Sequence, residues 1–345
     1  MNRFSFFVCI IGFSFGLTCL NPVALAGEPL NLTGSGASFP SALYWVWFQT
    51  FSKDHKNLTI DYKSTGSGEG VLDLINHKVD FAGSDSAMTP EEIAKVNGGV
   101  VMLPMTAGEI VLAYNLPGNP KELKLPRDVY PDIFLGKIAK WNDARIQSAN
   151  PGVKLPDLPI TIVRRADSSG TTYVFTSHLS AISPEWKNGP GSGTTVNWPS
   201  LDRLVAHPKN KGVATAIKQT PGAIGYVEFG WAEDSKLQMA NLQNKTGKFV
   251  QPNPSNGEAA LTSVQLPENL VGWALDPEGE NAYPITTFTW LLFYQQYLSS
   301  EKAKVLREMV EYAITEGQKS SASMGYIPLP VNVVAQVRAS IYKIK

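Results

Sequence analysis

The hydrophobic and polar positions of this chain follow a repeated pattern, in which a short apolar run is followed by a small polar loop and a second apolar segment. The clearest case is at 160–177. There a β-branched run (160–163) ends in Arg164 and Arg165, and a polar cluster at 168–172 leads into apolar residues. This pattern predicts a strand, a tight loop and the start of a helix.

The same order recurs nearer the N-terminus. We predict a strand from Leu30, a Gly/Ser loop and a helix at 42–48, and then a strand at 58–62, a loop at 64–70 and a helix at 71–75. A third strand, 79–83, precedes a helix that begins at Thr89-Pro90. Strands that alternate with helices predict parallel βαβ units, which hold ligands beyond the carboxyl ends of the strands. Ser38, Ser67 and Asp85 fall at such ends.

Further elements suggest a second lobe. Extended runs at 100–104 and 109–114, joined through 106–108, are interpreted as the first crossing between lobes, and 283–293 as the return crossing. We also predict helices at 130–134, 212–218 and 331–342, a strand entered from the turn at 221–222, and a helix from Ser299 with an apolar face that includes Val305, Leu306, Met309, Val310, Ala313 and Ile314.

Length and composition agree with this organisation. A chain of 345 residues exceeds the size at which one hydrophobic core usually keeps growing, so two lobes are expected. A hydrophobic content of 43% with 17% charged residues is typical of a globular protein, and the 29 Gly and 24 Pro indicate many defined turns.

The first 26 residues predict a secretory signal peptide. An apolar stretch, 4–20, follows Arg3 and precedes the small-residue pattern 24–26, so we expect cleavage after Ala26. An uncleaved membrane anchor is the alternative, and a lipid anchor on Cys19 is less favoured by the residues before it.

Removal of this segment would change the available chemistry. Both cysteines, Cys9 and Cys19, lie within it, so the remaining chain would have no disulfide, cysteine nucleophile or thiolate metal site. Arg3 is its only charged residue, which leaves a formal net charge of −1. Nucleic acid and anionic lipid are therefore not expected partners.

The Gly/Ser loops at helix starts are candidate anion sites. The first turn of a helix has unpaired backbone N–H groups and partial positive charge, and an arginine at a strand end adds a planar donor fork. The alternative is that the Ser and Thr side chains simply cap their helices. Asp85 is unusual beside an anion, because a carboxylate repels a ligand that carries no proton to donate. It could instead cap the next helix.

Common catalytic motifs are missing from the sequence. No Gly-rich loop continues into Gly-Lys-Ser/Thr, the dinucleotide spacing is incomplete, and no Gly-x-Ser-x-Gly occurs. The four histidines, which lack metal-ligand spacing, are expected in surface or capping roles: His55, His77, His178 and His207. The aromatic residues near 44–51 are expected in the core.

Several segments resemble the periplasmic phosphate-binding proteins of bacterial phosphate ABC transporters, the PstS family. The most specific is the string Arg-Arg-Ala-Asp-x-Ser-Gly-Thr at 164–171. The others lie at 33–40, 66–68, 79–85, 135–141, 185–188 and 221–228. The resemblance covers essentially the whole chain after the signal peptide.

The resemblance implies an α/β, two-lobed periplasmic-binding-protein fold of type II, in which each lobe is a mixed sheet flanked by helices. Lobe I would comprise 27–107 and 285–345, and lobe II 108–284. It also implies a monomeric, non-enzymatic receptor in the periplasm that binds inorganic phosphate, needs no cofactor or metal, and delivers its ligand to the membrane permease subunits of an ABC transporter.

The resemblance also implies the role of each site residue. Asp85 would accept the phosphate proton, and Arg165 would provide the charged fork, which Asp167 orients. The other phosphate-binding residues would donate through hydroxyl or backbone groups: Ser38, Phe39, Ser67, Ser169, Gly170 and Thr171.

Two positions depart from the family pattern. Ser38 stands where Thr is common and keeps the donor, whereas Glu69 replaces a small residue and is expected to point outward in the first turn of its helix. A secreted phosphatase or phosphoesterase on a related fold is the alternative function, and an adhesion or scaffolding role is a third hypothesis.

Overall fold

The computed structural model describes Met1 and residues 29–345. Apart from Met1, the predicted signal peptide lies outside the described residues, as do both cysteines. Strands and helices alternate along the described chain, which confirms the predicted α/β class. Among the helices of this part of the chain, none is both long enough and apolar enough to cross a membrane.

The strands and helices have the following bounds. The strands are β1 (Leu30–Gly36), β2 (Leu58–Ser64), β3 (Phe81–Ser84), β4 (Val100–Tyr114), β5 (Lys124–Leu125), β6 (Thr161–Arg165), β7 (Leu204–His207), β8 (Ala223–Glu228), β9 (Gln238–Met239), β10 (Asn241–Gln243), β11 (Phe249–Val250), β12 (Ala274–Leu275) and β13 (Ile285–Tyr294). The helices are α1 (Ser41–Lys53), α2 (Ser67–Ile75), α3 (Pro90–Ile93), α4 (Val129–Phe134), α5 (Ala144–Ala149), α6 (Gly170–Ile182), α7 (Pro184–Asn188), α8 (Lys209–Gln219), α9 (Phe229–Asp234), α10 (Pro254–Leu261), α11 (Ser300–Ile314), α12 (Gln318–Ser321) and α13 (Val331–Ser340), with 3₁₀ turns at Ala322–Met324 and Ile341–Lys343.

One continuous sheet organises the molecule, in the order β2-β1-β3-β13-β4-β8-β6-β7. At one end β1 pairs in parallel with β2 and β3, and at the other β6 pairs in parallel with β7 and β8. We call these groups, with the helices that connect their strands, the first half and the second half. The strands between them, β13 and β4, are antiparallel to their neighbours.

The two crossings are long, buried strands. The runs predicted at 100–104 and 109–114 are wrong as separate elements, because β4 continues unbroken through 15 residues. Its Val100–Glu109 part pairs with β13 and its Ile110–Tyr114 part with β8, so one strand serves both halves. All ten residues of β13 are buried. The residue limits of the two lobes stay a prediction.

The helix α2 begins four residues earlier than predicted. We expected a loop up to Gly70, but Ser67 is the first helical residue and Gly66, with φ of 104°, precedes it. Gly70 is required by packing, because a Cβ there would lie 2.5 Å from the Cα of Gly36 on β1. A glycine-rich segment was thus interpreted as a loop, although close contact with the sheet is the reason for its glycines.

The apolar face of α1 packs in the core of the first half. Tyr44, Trp47, Phe48 and Phe51 are buried, as predicted, whereas Trp45 is 65% exposed on the outer face. On α11 the buried residues are Ala303, Leu306, Met309, Val310, Ala313 and Ile314, and the predicted Val305 is half-buried.

Candidate functional site

Polar residues from both halves converge beyond the carboxyl ends of the parallel strands. The segments that follow β1, β2 and β3 bring Ser38 with Phe39, Ser67 and Asp85. Arg165 ends β6, and the segment after it brings the other predicted residues, Asp167, Ser169, Gly170 and Thr171. Within each half the strands are parallel, and the antiparallel crossings β13 and β4 make the two sets run in opposite directions. The carboxyl ends of the two halves therefore face each other across one cleft. Those predicted residues that are at most 3% exposed are Ser38, Phe39, Ser67, Asp85, Arg165, Ser169 and Thr171.

Ser38 and Phe39 lie in the turn that leads into α1. Two hydrogen bonds hold the backbone of this turn: the Tyr326 hydroxyl donates to the Phe39 carbonyl at 2.9 Å, and the Trp231 indole donates to the Ser38 carbonyl at 3.0 Å. Ser67 begins α2. The first turns of both helices, which carry unpaired N–H groups and partial positive charge, therefore meet at the cleft.

Asp85 faces the cleft and does not cap the next helix. Its Oδ1 accepts a hydrogen bond from Thr289 Oγ1 at 2.8 Å, and its Oδ2 accepts from Ser67 Oγ at 3.4 Å. The cap of α3 is Thr89, whose side chain accepts from the Glu92 N–H. The alternative interpretation of Asp85 as a helix cap is therefore wrong.

Burial controls the ionisation of Asp85. Removal from water raises the pKa of its carboxyl from 3.8 to about 7, although the hydrogen bond from Thr289, the charge of Arg165 and the hydrogen bond from Ser67 all lower it. The charge of Arg165, which comes from the second half, thus acts on the Asp85 carboxyl of the first half. Near neutral pH, this carboxyl can exchange a proton.

Arg165 and Asp167 form a two-point ion pair. Nε of Arg165 donates to Oδ1 of Asp167 at 2.9 Å, and Nη2 donates to Oδ2 at 2.5 Å. Nη1 donates to Thr171 Oγ1 at 3.2 Å. A guanidinium has five N–H groups, so each Nη atom keeps one that is not used in these contacts. The pair fixes the arginine and leaves a fork of two donors.

Strand parity separates the two adjacent arginines. Arg165 is 3% exposed and belongs to the site, whereas Arg164 lies 5.9 Å from the ring centroid of Trp198 and donates through Nη1 to the Arg165 carbonyl. The sequence predicted opposite faces for these residues. The choice of Arg165, which came from the family resemblance, agrees with the contacts that it makes.

The start of α6 contributes the third helix N-terminus. Ser169 is its N-cap and accepts from the Thr172 N–H at 3.1 Å, and Gly170 is its first residue. A Cβ on Gly170 would lie 2.5 Å from Ser67 Oγ and 2.6 Å from Asp85 Cβ. The backbone of the second half therefore lies directly against site residues of the first half. This close approach is possible because glycine has no side chain.

Hydrogen bonds join the halves around the cleft. The Gly68 N–H donates to the Ser168 carbonyl at 3.2 Å. On the other side, Asn210 of α8 donates through its backbone N–H and through Nδ2 to Ser38 Oγ, both at 3.1 Å. The two halves are in contact over the site residues.

Sequence reasoning missed two residues that touch the site. Thr289 lies within β13, where the register with β4 shifts between Thr289 and Trp290. Asn210 lies in the first turn of α8, upstream of the helix predicted at 212–218. A polar residue in an apolar crossing strand and a polar residue at a helix start were the available signals, but neither indicates a partner that is distant in sequence.

Other predicted residues have clear positions. Glu69 is exposed in the first turn of α2, as expected. The predicted surface or capping role is wrong for His178, which is fully buried. Its Nε2 lies 2.7 Å from the Tyr130 hydroxyl, and burial lowers its pKa to about 3.

Within residues 29–345, no group of three or more His, Cys, Asp or Glu side chains is arranged to hold a metal ion.

Comparison with known proteins gives concordant results. Residues 23–315 match the model of the PBP superfamily domain. The chain is 38% identical to the phosphate-binding protein PstS of Methanocaldococcus jannaschii, over 87% of this chain and 82% of that protein. It is 36% identical to the phosphate-binding protein PstS of Pasteurella multocida, over 92% and 91% of the two chains.

A solved structure has the same fold. It is a high-affinity periplasmic phosphate-binding protein, PfluDING, bound with phosphate, and it matches with a TM-score of 0.75 and 23% identity over 90% of this chain and 94% of that chain. At this identity the likeness concerns the fold.

Proposed function

Because this chain belongs to the PBP superfamily and, within it, to the PstS family of phosphate-binding proteins, we propose that it binds inorganic phosphate and delivers it to an ABC-type membrane permease. The predicted fold class is confirmed as the type II periplasmic-binding fold. The protein is a binding protein and not an enzyme, since its relatives are named for binding phosphate. None of these comparisons supports the alternative of a phosphatase.

One observation carries the assignment of the site. Side chains from strand ends of both halves meet in a buried cleft, where Gly170 packs against Ser67 and Asp85 while Arg165 contacts Thr171. A tetrahedral oxyanion needs donors from several directions, and this arrangement supplies them. The phosphate-binding residues that we propose are Ser38, Phe39, Ser67, Asp85, Arg165, Ser169, Gly170 and Thr171, with Asp167 orienting the arginine.

Neutral dipoles would provide most of the donors. The first turns of α1, α2 and α6 direct N–H groups to the cleft, and the hydroxyls of Ser38 and Thr171 can each donate once. The Ser67 hydroxyl can donate to the anion only by giving up its 3.4 Å hydrogen bond to Asp85. The charge of Arg165 is offset by Asp167, so the site holds its anion without an excess of positive side chains. The free N–H on each Nη atom of Arg165 suits two oxygens of one phosphate.

Asp85 would select for an anion that carries a proton. Monohydrogen phosphate can donate its P–OH to the Asp85 carboxylate. Sulfate is fully ionised at neutral pH, so its oxygen would face the carboxylate oxygen with no proton between the two acceptors. A buried acceptor without a donor, next to like charge, costs several kcal/mol. The site is therefore expected to prefer phosphate over sulfate.

The remaining parts of the proposal concern location and motion. We infer a periplasmic, monomeric receptor with lobe I at 27–107 and 285–345 and lobe II at 108–284, which close on the ligand about the crossing strands β4 and β13. The contacts between the halves across Ser38 and Gly68 support closure. The permease subunits would recognise the closed form.

Isothermal titration tests the binding function. The protein without residues 1–26 should bind phosphate and ignore sulfate at pH 7, and Asp85→Asn should reduce this discrimination because a donor amide replaces the acceptor. Equal binding of phosphate and sulfate by the unaltered protein would refute the selection mechanism, and no binding of phosphate would refute the function.

A further inference from the structure

Asn210 occupies a central position that the proposed phosphate contacts do not use. It lies in the first turn of α8, is fully buried and contacts hydroxyls from both halves. Its backbone N–H and its Nδ2 each donate to Ser38 Oγ at 3.1 Å, and Nδ2 also donates to Thr171 Oγ1 at 3.2 Å. One side chain therefore connects the Ser38 and Thr171 hydroxyls.

The orientation of the Asn210 side-chain amide is fixed by a hydrogen bond to its oxygen. Oδ1 of Asn210 accepts from the Glu228 N–H at 3.0 Å, which requires the oxygen on that side and leaves Nδ2 towards the hydroxyls. The backbone at Glu228 is itself held, because its carboxylate accepts from the N–H groups of Gly230 and Trp231 at 2.7 and 3.2 Å. The amide thus presents donors to the cleft.

These donors occupy the lone pairs of both hydroxyls. A hydroxyl has one proton to donate and two lone pairs that accept. Ser38 Oγ accepts twice from Asn210, and Thr171 Oγ1 accepts once from Asn210 and once from Nη1 of Arg165. Each hydroxyl then has its proton, and no lone pair, left for a ligand.

We propose that Asn210 is a positioning residue that sets the polarity of the Ser38 and Thr171 hydroxyls, so that both donate to the bound anion. The inference rests on the proposed phosphate function and deepens it. Ligand atoms that face these hydroxyls must be acceptors, so the P–OH group of phosphate is excluded from this side and directed to Asp85. Since Asn210 belongs to the second half and Ser38 to the first, the arrangement is complete when the halves are in contact.

A double-mutant cycle measured by phosphate titration tests this role. Asn210→Ala leaves each hydroxyl one of its two donors, the backbone N–H for Ser38 and Arg165 for Thr171. We therefore expect a partial loss of affinity, about tenfold. In a Ser38→Ala or a Thr171→Val background the same substitution should cost only about threefold, because one of the two hydroxyls that it orients is already absent. A merely structural role would give equal losses in every background.

The control is the other end of the same helix. Asn115 donates through Nδ2 to the carbonyls of Ile217 and Lys218 in the last turns of α8, away from the site. Asn115→Ala should change phosphate affinity less than twofold. If it weakens binding as much as Asn210→Ala, general loosening of α8 explains the effect and the proposal is wrong.

A second variant keeps the test valid if Asn210→Ala misfolds. Asn210→Ser keeps a small polar side chain, and its cycle with Thr171→Val should show the same sign of coupling as that of Asn210→Ala. Additive losses in both cycles, in a protein that binds phosphate normally when unaltered, would overturn the role of Asn210 alone. Failure of the unaltered protein to bind phosphate would overturn the proposed function itself.

Discussion

The Thr289 hydroxyl donates a 2.8 Å hydrogen bond to Oδ1 of Asp85, across 204 residues of sequence. Thr289 lies in the crossing strand β13, at the irregularity in its register with β4. Such an irregularity can re-aim a side chain out of the regular ladder. The strand that connects the halves therefore also influences the group that we propose accepts the phosphate proton.

Removal of this hydrogen bond should weaken phosphate binding in a pH-dependent manner. The bond lowers the pKa of Asp85, so Thr289→Val should raise that pKa above about 7 and leave the carboxyl mostly protonated at pH 7. We expect about tenfold weaker binding at pH 7 and recovery towards pH 9, as Asp85 ionises again. Titration calorimetry from pH 6 to 9 measures this.

Thr287→Val is the matched control for that substitution. Thr287 is buried on the same strand, but its hydroxyl donates to the Phe288 carbonyl. The phosphate affinity of Thr287→Val should vary with pH as that of the unaltered protein does. A loss in Thr289→Val that does not vary with pH would contradict the link to Asp85.

The two adjacent arginines should differ sharply in their importance. Arg165→Lys replaces a planar fork with a point charge that cannot contact both Asp167 and the ligand, so phosphate affinity should fall about 100-fold, or about 3 kcal/mol. Arg164→Lys, on the opposite face, should change it less than threefold. Comparable losses in the two variants, measured by titration, would show that the fork geometry of Arg165 is not decisive.

A methyl group at Gly170 should block the contact between the halves. Its Cβ would lie 2.5 Å from Ser67 Oγ and 2.6 Å from Asp85 Cβ, so Gly170→Ala should reduce phosphate affinity at least 100-fold. Because Ala is a better helix former than Gly, the ligand-free protein should unfold at a similar urea concentration.

The control for this substitution is Gly152→Ala. A Cβ at Gly152 meets no atom within 4 Å, and binding should be unchanged. If Gly170→Ala binds phosphate as well as Gly152→Ala, close approach of the halves is not needed for binding.

The ionisation of Asp85 should destabilise the ligand-free fold. Its pKa is raised by burial from 3.8 to about 7, so the folded state disfavours the carboxylate. The penalty is negligible well below pH 3.8, where the group is protonated in both states; it grows as the pH rises from 3.8 to about 7 and levels off above that. Asp85→Asn should therefore increase the free energy of unfolding at pH 8, by at most about 4 kcal/mol, and by little at pH 4.

Urea unfolding of the unaltered and Asp85→Asn proteins at pH 4, 6 and 8 checks that expectation. Burial also raises the pKa of Glu228, to about 8, and the charge of Asp85 adds to that rise, so Asp85→Asn also relieves Glu228 and this adds to the gain at pH 8. A difference in unfolding free energy that stays constant with pH would contradict a raised pKa for Asp85.

Local pattern was sufficient for most elements of the fold. The β-branched run before Arg164 formed β6, the Thr89-Pro90 pair started α3 with a capping box, and the Ser299 signal started α11. These features depend on neighbours within a few residues, so the sequence contains their cause. The start of α2 was mispredicted because the reason for its glycines, contact with Gly36 and Ser168, is not local.

The sequence by itself determined which groups are available for an anion: the strand-loop-helix units, the Arg-Arg-Ala-Asp-x-Ser-Gly-Thr string and the aspartate after β3. The tertiary structure decided how those groups act. Burial sets the pKa of Asp85. Thr289 and Ser67 each donate a hydrogen bond to one of its oxygens, and Asn210 donates to the hydroxyls of both Ser38 and Thr171. Desolvation and hydrogen bonding depend on atoms brought together from distant parts of the chain, and spacing along a sequence does not encode those distances.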